Sequence, residues 1–123
     1  MERDRKIVKL VDGIARTLPS DLIFGFDRRR LTPSGARPVR ALRDAAARAD
    51  RVRVFAYTDA RGTVAHNDSL SHAQAWAVAR MLHGDGEIPK QTWRVKGRGE
   101  PNPPRPGRHH RLHRRVEVIL IGV

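Results

Sequence analysis

The sequence predicts a two-layer α+β sandwich, a mixed four-stranded sheet with helices on one face, in the order βαβαββ behind an N-terminal helix. Three observations predict it. Short runs rich in β-branched and aromatic residues, at 21–26, 51–57, 92–97 and 115–123, are interleaved with segments of helical spacing. Helix start and stop signals, Thr32-Pro33 and His83-Gly84, fall between those runs. The chain has 123 residues, 39% hydrophobic and 31% charged, which suits one domain with a modest core.

The elements follow in order. In "MERDRKIVKLVDGIARTL", Ile7, Leu10 or Val11, Ile14 and Leu18 recur at helical spacing, so residues 1–18 are expected to form an amphipathic helix packed on the domain. The segment is too charged for a signal peptide or a membrane span, which places any export signal outside this chain. "DLIFGF" reads as the first strand, and Thr32 before Pro33 as a cap with a first-turn proline. Pro38 lacks an N–H, so regular helix bonding is expected from about Pro38 to Asp50, with Val39, Leu42 and Ala46 inward. "RVRVFAY" carries apolar groups on both faces, as a central strand does. Thr63 or Asn67 caps the next helix, and Gly84 ends it. "TWRVKG" and "RVEVILIGV" are the last strands, and the proline-rich, basic "RGEPNPPRPGRHHRLH" between them reads as a long exposed loop.

Composition excludes several classes. There is no cysteine, hence no disulfide framework or thiolate metal site. A formal charge of +12 attracts polyanions in general. The densest patch comprises Arg94, Lys96, Arg98, Arg105, Arg108 and Arg111, continuing to Arg114 and Arg115, against Glu100 alone. Aromatic residues are nearly absent from it, so a solvated basic loop is the plainer reading and no specific nucleic-acid partner is expected. His109, His110 and His113 sit among arginines with no acidic ligand nearby, which opposes a metal site. No nucleophile–base pair, paired carboxylates or phosphate-cradling loop is evident. Neither catalysis nor a cofactor is expected.

Five segments in sequence, "FGFDRRRLTPSG", "VFAYTDARG", "HNDSLSHAQA", "GRGEPNPP" and "HRRVEVIL", together resemble the OmpA-like domains. These are the peptidoglycan-binding modules of outer-membrane proteins, Pal lipoproteins and flagellar stator proteins. The resemblance spans about Leu22 to Leu120, so residues 19–123 are expected to be the OmpA-like domain.

The resemblance implies a ligand, the diaminopimelate of the peptidoglycan stem peptide, whose free end carries an amine and a carboxylate. Such a zwitterion needs a fixed carboxylate, a fixed guanidinium and neutral donors and acceptors between them. By resemblance the carboxylate is Asp59, and Thr58, Asp27, Asn67 and one of the paired arginines Arg114 and Arg115 border the pocket. The family's guanidinium position is occupied here by Gln74. An amide cannot pair charges, and losing one charge-assisted contact costs about 1.5–3 kcal/mol. Arg61 or one of the paired arginines could stand in. Read without the resemblance, Asp59 is more often a turn former or helix-dipole partner at a strand end, and Asn67 is simply a helix cap. Gly-His is replaced by Ala56-Tyr57, and the asparagine before the paired arginines by His113.

Three functions follow as expectations. The first is a cell-envelope module in the periplasm that anchors a protein or complex to peptidoglycan, weakened by Gln74. The second is an OmpA-like fold that has lost that ligand and serves as an assembly element of an envelope complex such as a secretion or conjugation apparatus. The third is a basic polyanion binder.

Overall fold

The computed structural model describes residues 7–10, 13–25, 28–59, 62–84, 92–99 and 114–123. Its elements are β1 (Ile7–Leu10), β2 (Gly13–Pro19), α1 (Ser20–Ile23), α2 (Pro33–Arg40), α3 (Arg43–Arg48), β3 (Arg51–Tyr57), α4 (Val64–His83), β4 (Thr92–Gly97) and β5 (Arg115–Ile121). The strands form one sheet in the order β1-β2-β5-β3-β4. β3 and β4 run parallel, and the other neighbours run antiparallel. The mixed sheet and the two-layer α+β arrangement are those expected.

β3 is central, paired on both sides, with Val52, Val54 and Ala56 fully buried toward the helical layer. Its register aligns Val52, Val54 and Ala56 with Leu120, Val118 and Val116 of β5, and with Trp93, Val95 and Gly97 of β4. Paired residues share a face, so this register builds one apolar surface across three strands. α4 covers it with Ala75, Val78, Ala79 and Leu82, and Val39, Leu42 and Ala46 of the α2–α3 region complete the core. Each fully buried valine or leucine contributes about 1.5–3 kcal/mol. Gly97 permits the close approach of β4 to α4: a Cβ there would lie 2.1 Å from the His72 backbone nitrogen.

Three expectations are corrected. Residues 7–10 and 13–19 are a β-hairpin, not part of a helix over 1–18, and they raise the strand count from four to five. Ile7 and Ile14 satisfy a strand as well as the helical spacing, Val8 and Thr17 add further β-branched residues, and pairing of Leu10 with Gly13 leaves a two-residue connection. Gly13 suits this place because a Cβ would sit 1.8 Å from the Leu120 carbonyl oxygen. Secondly, "DLIFGF" is not the first strand. The strand beside β5 on this side is β2, and residues 20–23 close a helical turn that buries Ile23 and Phe24.

Thirdly, the helix starts at Pro33, not near Pro38, and is split after Arg40. Thr32 does cap it, its Oγ1 accepting from the Gly35 N–H at 2.9 Å. Pro38 is inside α2, where it removes only the bond to Ser34, an exposed residue. α4 begins at the Thr63 cap, whose Oγ1 accepts from the His66 N–H at 3.1 Å, and ends at Gly84 with φ 79°.

Candidate functional site

The end of β3 is held from two sides. Beyond Tyr57 the chain keeps pairing with the β4 side: Arg98 N donates to Ala56 O at 2.8 Å, and Thr58 N to Gly99 O at 2.8 Å. Gly99, at φ +61°, donates its N–H to Ser71 Oγ at 2.9 Å, and a Cβ there would strike Asp68 Oδ1 at 2.4 Å. The Gly-Arg-Gly run thus fits β4 under α4, and Ser71 of the Leu-Ser pair ties the helix to it. Ser71 is fully buried and serves as a strut rather than a ligand group.

This frame places Thr58 and Asp59 opposite two α4 residues. Asn67 Nδ2 donates to the Asp59 carbonyl at 3.3 Å, and Gln74 Nε2 donates to the Arg28 carbonyl at 2.7 Å. All four residues are at least nine-tenths buried. The third side comes from the chain entering β5. Arg114 spans two carboxylates, its Nε donating to Asp21 Oδ1 at 2.8 Å, a second nitrogen to Asp21 Oδ2 and the third to Asp59 Oδ2. Its guanidinium is pushed further toward the charged form, first by the Asp21 hydrogen bond and then by Asp59, against the opposing effect of burial.

These groups surround a cavity of about 40 Å³ lined by Ser20, Asp21, Tyr57, Thr58, Asp59, Asn67, Gln74 and Arg114. Two of its hydroxyls, Thr58 Oγ1 and Ser20 Oγ, are buried with no hydrogen-bond partner. Both hydroxyls can donate and accept hydrogen bonds within the cavity. Its volume is on the order of one water molecule. A larger groove of about 570 Å³ lies between α4 and β4, with Trp76, Trp93 and Arg80 on its walls. It has no ion pair among its lining residues and shares none of them with the cluster. Polar convergence, not size, marks the candidate site.

Of the residues singled out in the sequence, Thr58, Asp59, Asn67, Gln74 and Arg114 come together. Arg115 does not: it lies on the opposite sheet face, 4.1 Å above the Tyr57 ring centre and 3.0 Å from a Glu117 carboxylate oxygen. Burial, and next the Glu117 charge, push the Tyr57 phenol above its ordinary value. Asp27 and Arg61 lie outside the described residues, as do Arg105, Arg108, Arg111 and the histidines 109, 110 and 113. Among the described residues, no group of three or more metal-ligating side chains occurs, and no helix is long and apolar enough to cross a membrane. Asp21 was missed because it opens a segment read as strand, and Ser20 because it sits just before that segment. The Pro19-Ser20-Asp21 start of α1 was the available signal.

The model of the OmpA family matches residues 23–115. Outer membrane protein A of Escherichia fergusonii is 35% identical over 91 residues, covering 71% of this chain and 37% of that protein. The chain therefore spans little more than a third of that relative. Among solved structures, a MotB-like protein from Desulfovibrio vulgaris superposes with a TM-score of 0.75 at 24% identity, covering 96% of this chain and 78% of that one. The cell wall anchor of the T6SS from Pseudomonas aeruginosa gives 0.78 at 23% identity, covering 98% and 90%. At these identities the structures share the fold.

Proposed function

This chain belongs to the OmpA family, and from that membership we propose that it is a non-catalytic module of the cell envelope, working in the periplasm and binding peptidoglycan through the diaminopimelate of the stem peptide. The observation that carries the reading is the pair of buried, unpartnered hydroxyls, Thr58 and Ser20, in one cavity with the Asp59–Arg114 pair. The similarity to outer membrane protein A and to a cell wall anchor supports it.

The chemistry proceeds by exchange. The free end of diaminopimelate is a zwitterion, and an aspartate–arginine ion pair is its complement. Its ammonium replaces Arg114 at the Asp59 carboxylate, and its carboxylate takes the guanidinium edge that Asp59 gives up. Asp21 keeps its two-point grip on Arg114 throughout and so positions the guanidinium. Thr58, Ser20 and Asn67 supply neutral hydrogen bonds. Because the cavity is far smaller than a ligand end, entry requires the Asp59 contact of Arg114 to open while its Asp21 contact holds. Gln74 already spends a donor on the Arg28 carbonyl and contributes no charge. Binding is therefore roughly ten- to a hundred-fold weaker than with arginine at that position.

A second reading has its own observation. The chain fills the Asp59 site with its own Arg114, as an OmpA-like fold that has given up the stem peptide and acts as an assembly element would. Co-sedimentation with purified sacculi separates the two. Binding that survives high salt, is lost in Asp59→Ala and strengthens in Gln74→Arg supports the peptidoglycan reading. Absence of salt-resistant binding in the wild type refutes it and leaves the assembly reading.

A further inference from the structure

The sheet has a second face, turned away from the helices, and its composition is unlike that of a simple solvated surface. The pairing register places Arg51, Arg53, Phe55 and Tyr57 of β3 on it, beside Arg94 and Lys96 of β4. Arg115, Glu117, Ile119 and Ile121 of β5 continue the same face. Arg51, Arg94, Lys96 and Arg98 are exposed and Arg53 partly so. Among the described residues, none of Arg51, Arg53, Arg94 and Lys96 takes part in an ion pair; Glu117 is the one carboxylate on these three strands, and it is bound to Arg115. With strands about 4.8 Å apart and same-face residues about 6.8 Å apart along each, the cations form a two-dimensional grid that follows the twist of the sheet.

We propose that this open face is a docking surface for an anionic phospholipid bilayer, separate from the Asp59 cavity. Three features select that occupant. The cations spread over a plane instead of following a groove, which fits a field of headgroup phosphates better than a single chain. The aromatic rings are not available for stacking bases: Arg98 lies 4.4 Å above the Phe55 ring and Arg115 4.1 Å above Tyr57, and Phe55 is only 8% exposed. Beside the cations, Ile119 and Ile121 remain partly exposed and present an apolar margin to the headgroup layer. A second copy of the chain is disfavoured, since the patch would meet its own charge. The Asp59 cavity lies beyond the end of β3, between that end and the helical layer, so docking through the face leaves it reachable from the side.

Each lysine or arginine near an anionic leaflet strengthens binding about fivefold. The test is flotation of the full chain with vesicles of phosphatidylglycerol and phosphatidylcholine, and with phosphatidylcholine alone. The triple variant R53Q/R94Q/K96Q is expected to lose on the order of a hundredfold in apparent affinity for the anionic vesicles. R37Q/R40Q/R48Q, which removes the same charge from exposed helical positions, is expected to lose less than about fivefold, through long-range attraction alone. Asp59→Ala is expected to bind vesicles as the wild type does. Circular dichroism of each variant verifies that it is folded. Equal losses in the two triples would reduce the effect to net charge and overturn the proposal. So would absence of wild-type binding to anionic vesicles, or preference for a single-stranded oligonucleotide over phosphatidylglycerol at equal phosphate concentration.

Discussion

Arg114 carries more of the site than any other residue. It holds Asp59, whose side chain is 5% exposed, and binds Asp21 through two nitrogens, while its own side chain is 13% exposed. A carboxylate so placed cannot recover its hydration when the guanidinium is removed. Arg114→Gln is therefore expected to lower unfolding stability by about 3 kcal/mol, measured by urea denaturation. Asp59→Asn in the same chain should restore at least about 1 kcal/mol of that, because it removes a buried charge that has lost its guanidinium partner. Two single variants whose effects simply add would show that the pair is screened by solvent and contributes little. Asp59 and Arg114 were both visible in the sequence as motif positions, 55 residues apart, but their mutual contact was not. Asp21 was not visible as a partner at all. Its role depends on α1 turning it back toward the entry to β5, where Ser20 N donates to the Arg114 carbonyl at 3.0 Å.

Among the elements, α4 and β4 depend on each other most closely. Gly97 brings the strand against the backbone of His72, and Ser71 then bonds Gly99 two residues on. Gly97→Ala would place a methyl where helix backbone already is, and backbone cannot rotate aside. It is expected to cost 3 kcal/mol or more, roughly the top of the usual overpacking range, and to lower the thermal midpoint accordingly. A change of less than about 1 kcal/mol would mean that the strand slides outward at little cost. The end of α4 was legible because capping chemistry is local and Gly84 acts within one turn of itself, whereas its start stood between Thr63 and Asn67 until the structure gave Thr63 as the cap. The start of β2 was not legible. Ile14 and Leu18, four residues apart, fit one helix face, yet they also alternate correctly in a strand. The deciding contribution is the ladder of β2 with β5, some hundred residues downstream in the chain.

On the scale of the molecule, the five strands are unequal partners. β2 pairs with β5 along its whole length and buries Leu18 at 2% exposure, whereas β1 pairs with β2 alone. Removing residues 1–10 is therefore expected to leave a cooperative unfolding transition with a lowered midpoint. Removing residues 1–19 should abolish it, because β5 loses a neighbour and the core its Leu18 wall; thermal unfolding followed by circular dichroism compares the two. A cooperative transition in the shorter chain would show that β3, β4 and β5 suffice. The family match begins at Ile23, so the hairpin lies outside it. The sequence by itself determined what depends on near neighbours: the α+β class, the central strand, the caps at Thr32 and Gly84, and the motif positions that place Thr58, Asp59, Asn67 and Gln74 around one site. Only the tertiary structure decided the hairpin, the Asp21–Arg114–Asp59 bridge, the turning of Arg115 to the opposite face, and the joining of Arg51 and Arg53 to Arg94 and Lys96 in one cationic plane. The reason is physical. Propensity, capping and spacing act over a few residues, whereas strand register brings together side chains from distant segments and gives each one its face.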